Sequence, residues 1–188
     1  MKKKEEGVIR HLGFSYHGDL EFFKETLDKY KWDFAQLQIN YYDWDAQNAK
    51  EYYKALEDRS VPCIVMEPVR GGSLQSLNDE ARKVFEELGD ASPASYALRY
   101  IGTKSNVLVV LSGMSAVEQV EDNIRTFSEL KELSEEESAA VEKASVLFRK
   151  NFAIPCTACK YCLQKCPKGI DIPGCFKAYN EYNKTRDT

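Results

Sequence analysis

Cys63-Ile64-Val65-Met66-Glu67-Pro68-Val69-Arg70-Gly71-Gly72 decides the fold class. Its first four residues are all apolar, and the charged and glycine-containing stretch after them stops the run. So short and so apolar a segment predicts a strand covered on both faces. Val107-Leu108-Val109-Val110-Leu111 has the same character. Two earlier runs, Val8-Ile9-Arg10-His11-Leu12-Gly13-Phe14-Ser15 and Phe34-Ala35-Gln36-Leu37-Gln38-Ile39-Asn40, read as further strands. His11 is then a strand residue, and His17 either sits at the mouth of the site or, the favoured reading, belongs to the surface loop that follows.

Helical patterns separate these runs. Leu20, Phe23, Leu27 and Tyr30 recur at helical spacing behind Asp19, an N-cap candidate. Tyr52, Tyr53 and Leu56 mark a second helix, and the stretch from Asn78 to Gly102 holds two, split near Ser92-Pro93. Val117, Val120 and Ile124 mark another, capped near Ser115. The order β-α-β-α-β-α-α-β-α builds an α/β fold with a parallel sheet and right-handed crossovers. Ser134-Glu135-Glu136-Glu137 is a capping box that opens one more helix, to about Phe148. The expected organisation is a sheet domain over 1–133 and an appendage over 134–188.

The chain has 188 residues and a net charge of −4, enough length for a real core and no sign of a nucleic-acid binder. Lys2, Lys3 and Lys4 are answered at once by Glu5 and Glu6, which reads as a solvated segment. No apolar run approaches the about 20 residues needed to cross a bilayer, and the charged start has no secretory core. The expectation is a cytoplasmic protein without nucleic-acid or membrane partners.

The appendage carries Cys156, Cys159, Cys162 and Cys166 followed by Pro167, a C-x2-C-x2-C-x3-C-P run. It resembles the bacterial ferredoxin segment that holds a four-iron–four-sulfur (4Fe-4S) cluster. Short gaps let a local loop aim successive thiolates at different iron corners, while intervening amides point at the sulfurs and offset their charge. A structural zinc site uses two C-x2-C pairs set well apart, and disulfides suit an exported chain. Cys166 closes the cluster, or Cys175 does, or a cysteine from elsewhere; the favoured reading of Cys175 is a small buried residue at a helix starting near Ile172. Cys63, inside an apolar strand, reads as a core thiol.

The loops after the strands resemble the second half of an aldo/keto reductase barrel, over roughly residues 5–130. The matching pieces are Gly13-Phe14-Ser15, Gln36 with Asn40, Glu67-Pro68-Val69-Arg70-Gly71-Gly72 with Leu74, and Tyr96-Ala97-Leu98-Arg99-Tyr100. Gly113-Met114-Ser115 with Gln119-Val120-Glu121-Asp122-Asn123 completes the set, and some bacterial proteins of this type carry a ferredoxin-type tail. The resemblance implies half of a (β/α)8 TIM barrel, strands five to eight, followed by a small α-helical iron–sulfur segment, with the site at the C-terminal ends of the strands.

It also implies roles. Ser15 and Gln36 would bond the carboxamide of a nicotinamide. Gly71 and Gly72 would let the backbone approach a phosphate-bearing cofactor. Gly113 and Ser115, ahead of a helix, would face a cofactor phosphate, and Asp122 and Asn123 the adenosine end. Met66 stands where a stacking aromatic is common, Gln119 where an arginine often faces a 2′-phosphate, and Tyr16 beside the serine in place of an asparagine. These departures leave NADP(H), NAD(H), a flavin, and no dinucleotide at all, each open.

The family's catalytic aspartate, tyrosine, lysine and histidine come from the first four strands, which the resemblance does not cover, so no catalytic residue is assigned. Half a barrel cannot close and leaves strand edges unpaired. Completion would come from a longer or interrupted reading frame, from a separate N-terminal half, or from a second copy. The functional expectation is carbonyl/alcohol redox chemistry with a nicotinamide, the cluster serving an electron-transfer partner. The rival is a non-enzymatic iron–sulfur electron-transfer module on a half-barrel scaffold.

Overall fold

The computed structural model describes residues 2–150, 154, 156, 158 and 160–186. Its strands are β1 (Gly13–Ser15), β2 (Phe34–Gln38), β3 (Cys63–Met66) and β4 (Val107–Val110). They form one four-stranded sheet in sequence order, every neighbour pair parallel. Between and after them run α1 (Lys2–Glu5), α2 (Leu20–Lys29), α3 (Asp43–Ala46), α4 (Ala49–Glu57), α5 (Asp79–Glu86), α6 (Pro93–Gly102), α7 (Val117–Ser128), α8 (Glu135–Arg149), α9 (Tyr161–Lys165) and α10 (Ile172–Arg186). Because the strands are parallel, the loops that follow them gather at one rim.

Side chains alternate across the sheet. Ala35, Leu37, Cys63 and Val65 are buried on the helix-covered face, against Phe23, Leu27, Tyr53, Leu56 and Ile101. Gln36, Gln38, Ile64 and Met66 occupy the other face, half-buried. A second core joins Tyr42, Leu74, Val84, Phe85 and Tyr96 to Ala140, Val141, Ala144 and Phe148 of α8. Each large side chain so buried contributes about 1.5–3 kcal/mol. α8, which the sequence assigns to the appendage, is therefore packed into the core of the sheet unit.

Local chemistry sets the helix starts. Asp19 accepts the Phe22 N–H at 2.9 Å, Asn78 the Ala81 N–H at 3.2 Å and Ser92 the Ser95 N–H at 2.9 Å. Ser134 and Glu137 form the expected capping box. Arg99 then ties α6 to α8, donating from both terminal nitrogens to the Glu137 carboxylate at 2.6 Å.

Several expectations are corrected. The first strand begins at Gly13 and not near Val8, because the Leu12 N–H is taken by the Asp33 carboxylate at 2.8 Å and not by a ladder carbonyl. His11 therefore lies outside the strand, exposed. Ser115 does not cap α7: Ala116 holds the N-cap position without a side-chain bond, and the Ser115 N–H is taken by Gln119 Oε1 at 2.8 Å. Cys175 is exposed and not buried. β4 is not covered on both faces: Leu108 and Val109 are 60% and 42% exposed, because β4 is an edge strand. Val117 and Ile124 of α7, the helix that follows β4, are 68% and 60% exposed. Among the described residues, no helix is long and apolar enough to cross a membrane.

Candidate functional site at the C-terminal rim

The nearer end of the rim belongs to β1 and β2. Ser15 closes β1 and pairs in register with Gln36. Gln36 donates from Nε2 to the Met66 sulfur at 3.4 Å, so these two residues meet across the open face of the sheet. Ser15 is exposed there. His17, two residues on, is an exposed loop residue as expected.

The farther end is a cleft of about 440 Å³ between the loops after β3 and β4. Gly72, Gly113, Asp122 and Asn123 all line it. Gly71 and Ser115 are adjacent in sequence but do not face it. Gly71 and Gly72 have φ of +61° and +84°, a region that disfavours other residues. A Cβ built on Gly72 would meet nothing within 4 Å, so backbone conformation, and not crowding, requires the glycine, and space stands open beside it. Asp122 Oδ2 accepts the Ser92 hydroxyl at 2.5 Å, and Asn123 Nδ2 donates to Ser112 Oγ at 2.9 Å. These bonds fix α7 against α6 and the β4 loop, which makes the cleft wall rigid.

A buried polar cluster, given no role by the sequence, joins the two ends. Asp43 and Asn40 are fully buried and Arg70 is 6% exposed. The Asn40 side-chain oxygen accepts the N–H groups of Tyr42 and Asp43 at 3.1 and 2.8 Å, a turn that starts α3. The Asn40 amide donates to Asp43 Oδ2 at 2.8 Å and to the Glu67 carbonyl at 3.0 Å. Asp43 also accepts from Gln38, Gln47 and Arg70 Nε, at 2.8, 3.0 and 3.2 Å. The Arg70 guanidinium lies 4.9 Å from the centre of the Tyr42 ring. The loop after β2 is thus locked to the glycine loop after β3. Asn40 and Arg70 stand in the stretches that carry the resemblance, but nothing in their spacing marks them as buried partners.

In the tail, Cys156, Cys162 and Cys166 are half-buried, and Cys159 lies outside the described residues. The Ala158 N–H points at Cys156 Sγ and the Ile170 N–H at Cys166 Sγ, each at 3.4 Å. Ala158, Lys160 and Gly169 adopt positive φ of 54°, 65° and 61°, the bends that turn amides toward sulfur. The Ile170 amide, then that of Lys168, holds the Cys166 thiol below its ordinary value. Among the described residues, no three His, Cys, Asp or Glu side chains are grouped as a metal ion requires. Cys63 behaves differently: burial pushes its thiol up to about 12.

Residues 1–146 match the model of the aldo/keto reductase family. The uncharacterized oxidoreductase YqkF of Bacillus subtilis (strain 168) is 27% identical over 161 residues, covering 74% of this chain and 51% of that protein. The holo form of aldo-keto reductase AKR11C1 from Bacillus halodurans superposes with a TM-score of 0.62 at 24% identity, over 76% of this chain and 52% of that one. Aldose reductase from Giardia lamblia superposes with a TM-score of 0.57 at 20% identity, over 77% and 48%. At such identities the two structures speak for the fold alone. The chain spans about half the length of the relatives it matches.

Proposed function

The chain belongs to the aldo/keto reductase family, and on that premise we propose that it is the C-terminal half of an oxidoreductase barrel bearing a 4Fe-4S cluster in its cysteine tail. Completed by an N-terminal half, it passes hydride between a nicotinamide cofactor and a carbonyl or alcohol, in the cytoplasm. The observation that carries this reading is the convergence of Gly72, Gly113, Asp122 and Asn123 on one cleft, with Ser15 and Gln36 at the same rim. An extended dinucleotide lying across the strand ends would use both: its adenosine and phosphates in the cleft, its carboxamide at Ser15 and Gln36. The cleft lies within the range of about 300–1,000 Å³ usual for small-ligand sites, and the space beside Gly72 leaves room for a phosphate.

The tail fits a cluster in one specific respect, since amides already face the sulfurs of Cys156 and Cys166. Cys156, Cys159, Cys162 and Cys166 would hold it, and when bound it supplies a store for single electrons. The chain's own contribution at the rim is binding and orientation. Proton transfer to the substrate oxygen falls to the completing half.

The test begins with anaerobic purification and analysis for iron and sulfide, followed by fluorescence titration with NADH and NADPH. Saturable nucleotide binding with iron and sulfide present is the expected result. A brown protein that ignores both nucleotides would favour the electron-transfer module, and zinc without sulfide a structural zinc domain.

A further inference from the structure

The cysteine run lies far along the chain from the rim loops, yet the fold brings them together. We propose that the cysteine loop is seated on the rim itself, against the loop between β1 and α2, through the ring contact of Tyr161 with His17. A cluster held in that loop then sits beside the mouth assigned to the nicotinamide. The seating stands on the structure alone, whereas the occupants on either side of it rest on the function proposed above.

Tyr161 lies between Cys159 and Cys162 and opens α9. Its ring centre is 5.4 Å from that of His17, with the planes inclined at 60°. His17 follows Ser15 by two residues and lines a small cleft with Tyr16, Gln38, Gln47 and Tyr52 at the ends of β1 and β2. That loop is a firm seat. The Tyr16 hydroxyl donates to the Asp19 carbonyl at 2.7 Å, and the Tyr52 hydroxyl reaches from α4 to the Gly18 carbonyl at 2.9 Å.

The segment has a second anchor, ahead of its first cysteine. Ile154 gives its N–H to the Asn180 side-chain oxygen at 2.9 Å, and its carbonyl accepts the Asn180 amide at 2.8 Å. Asn180 is 7% exposed, so this clamp is shielded from water. Ile154 is therefore held by α10 and Tyr161 by the rim, one on each side of Cys156 in the chain. A single ring pair is a weak interaction, so the contact sets where the loop lies more than how stable the chain is.

The two histidines of the chain make the test self-controlled. His17 follows β1 and sits at the rim, while His11 precedes β1 at the opposite end, 4.0 Å from Asp33. In proton spectra of the full chain without iron, Tyr161→Ala is expected to move the His17 ring signals and leave those of His11 in place, with Tyr161→Phe close to the parent. In iron- and sulfide-loaded protein reduced to its paramagnetic state, the His17 signals are expected to broaden while those of His11 stay sharp. Unmoved His17 signals in Tyr161→Ala, or equal sharpness of both histidines in loaded, reduced protein, would overturn the seating. Material that takes up no iron would defeat the cluster reading instead, and the iron-free comparison would still decide where the loop sits.

Discussion

Replacing Asp43 by alanine removes the centre of the buried cluster that joins the loops after β2 and β3. The carboxylate has no solvent exposure and accepts from Gln38, Asn40, Gln47 and Arg70. Taking it away removes the negative charge facing a guanidinium side chain that is itself only 4% exposed. Breaking a buried pair from one side costs about 3–5 kcal/mol, against a total of about 5–15 kcal/mol for a domain. Asp43→Asn keeps the volume and one acceptor, so its cost should be nearer the about 1–3 kcal/mol of an unsatisfied buried group. Urea unfolding followed by circular dichroism reads both, with a slope of about 1–3 kcal/mol per molar for small proteins. A double variant, Asp43→Leu with Arg70→Met, should recover part of the loss, because apolar replacement of both partners removes the buried charge as well. The reasoning fails if Asp43→Ala leaves the midpoint unchanged, or if the double variant is as unstable as the two single losses added together.

Other outcomes follow from the same geometry. Arg99 bonding holds the Glu137 carboxyl below its ordinary value, so the stability it lends α8 is complete above the usual glutamate range and disappears as pH falls through the lowered value. The urea midpoint of Glu137→Gln should therefore sit below the parent at neutral pH and converge with it in acid; a constant gap at all pH would refute this. In iron-free, folded protein a thiol reagent should modify exposed Cys175 readily and buried Cys63 only on unfolding, since burial raises the Cys63 thiol and hides it. Cys166→Ser should reduce iron uptake on anaerobic reconstitution and Cys175→Ser should not; the opposite pattern would make Cys175 the fourth ligand.

What the sequence made legible was whatever local periodicity encodes. Cys63 to Met66 is a strand, as its letters suggest, because four consecutive apolar residues need cover. Asp19 and Ser134 cap their helices as expected because capping needs only residues a turn apart. The first strand is shorter than its letters suggest, since Val8 and Ile9 carry strand-like side chains but Leu12 spends its amide on Asp33, a partner 21 residues away. Met66 meets Gln36, and Gly72 shares a cleft with Asn123, because parallel strands bring loops distant in sequence to one rim. Asp43 and Arg70 were invisible for a different reason. As letters they are surface residues, and only the approach of two loops 27 positions apart turns them into core. The Tyr161–His17 contact is more remote still, and no spacing rule reaches it.

The outward edge of β4 sets terms for whatever covers it. The known rim gathers every strand's C-terminal end on one side, so a neighbour that is to add its own loops to that rim must run in the same direction as β4. Successive strands of one chain that share a direction cannot be joined by a tight hairpin and need a crossover, commonly a helix. An added strand of that polarity, joined within its own chain to a parallel neighbour, would thus bring a crossover with it.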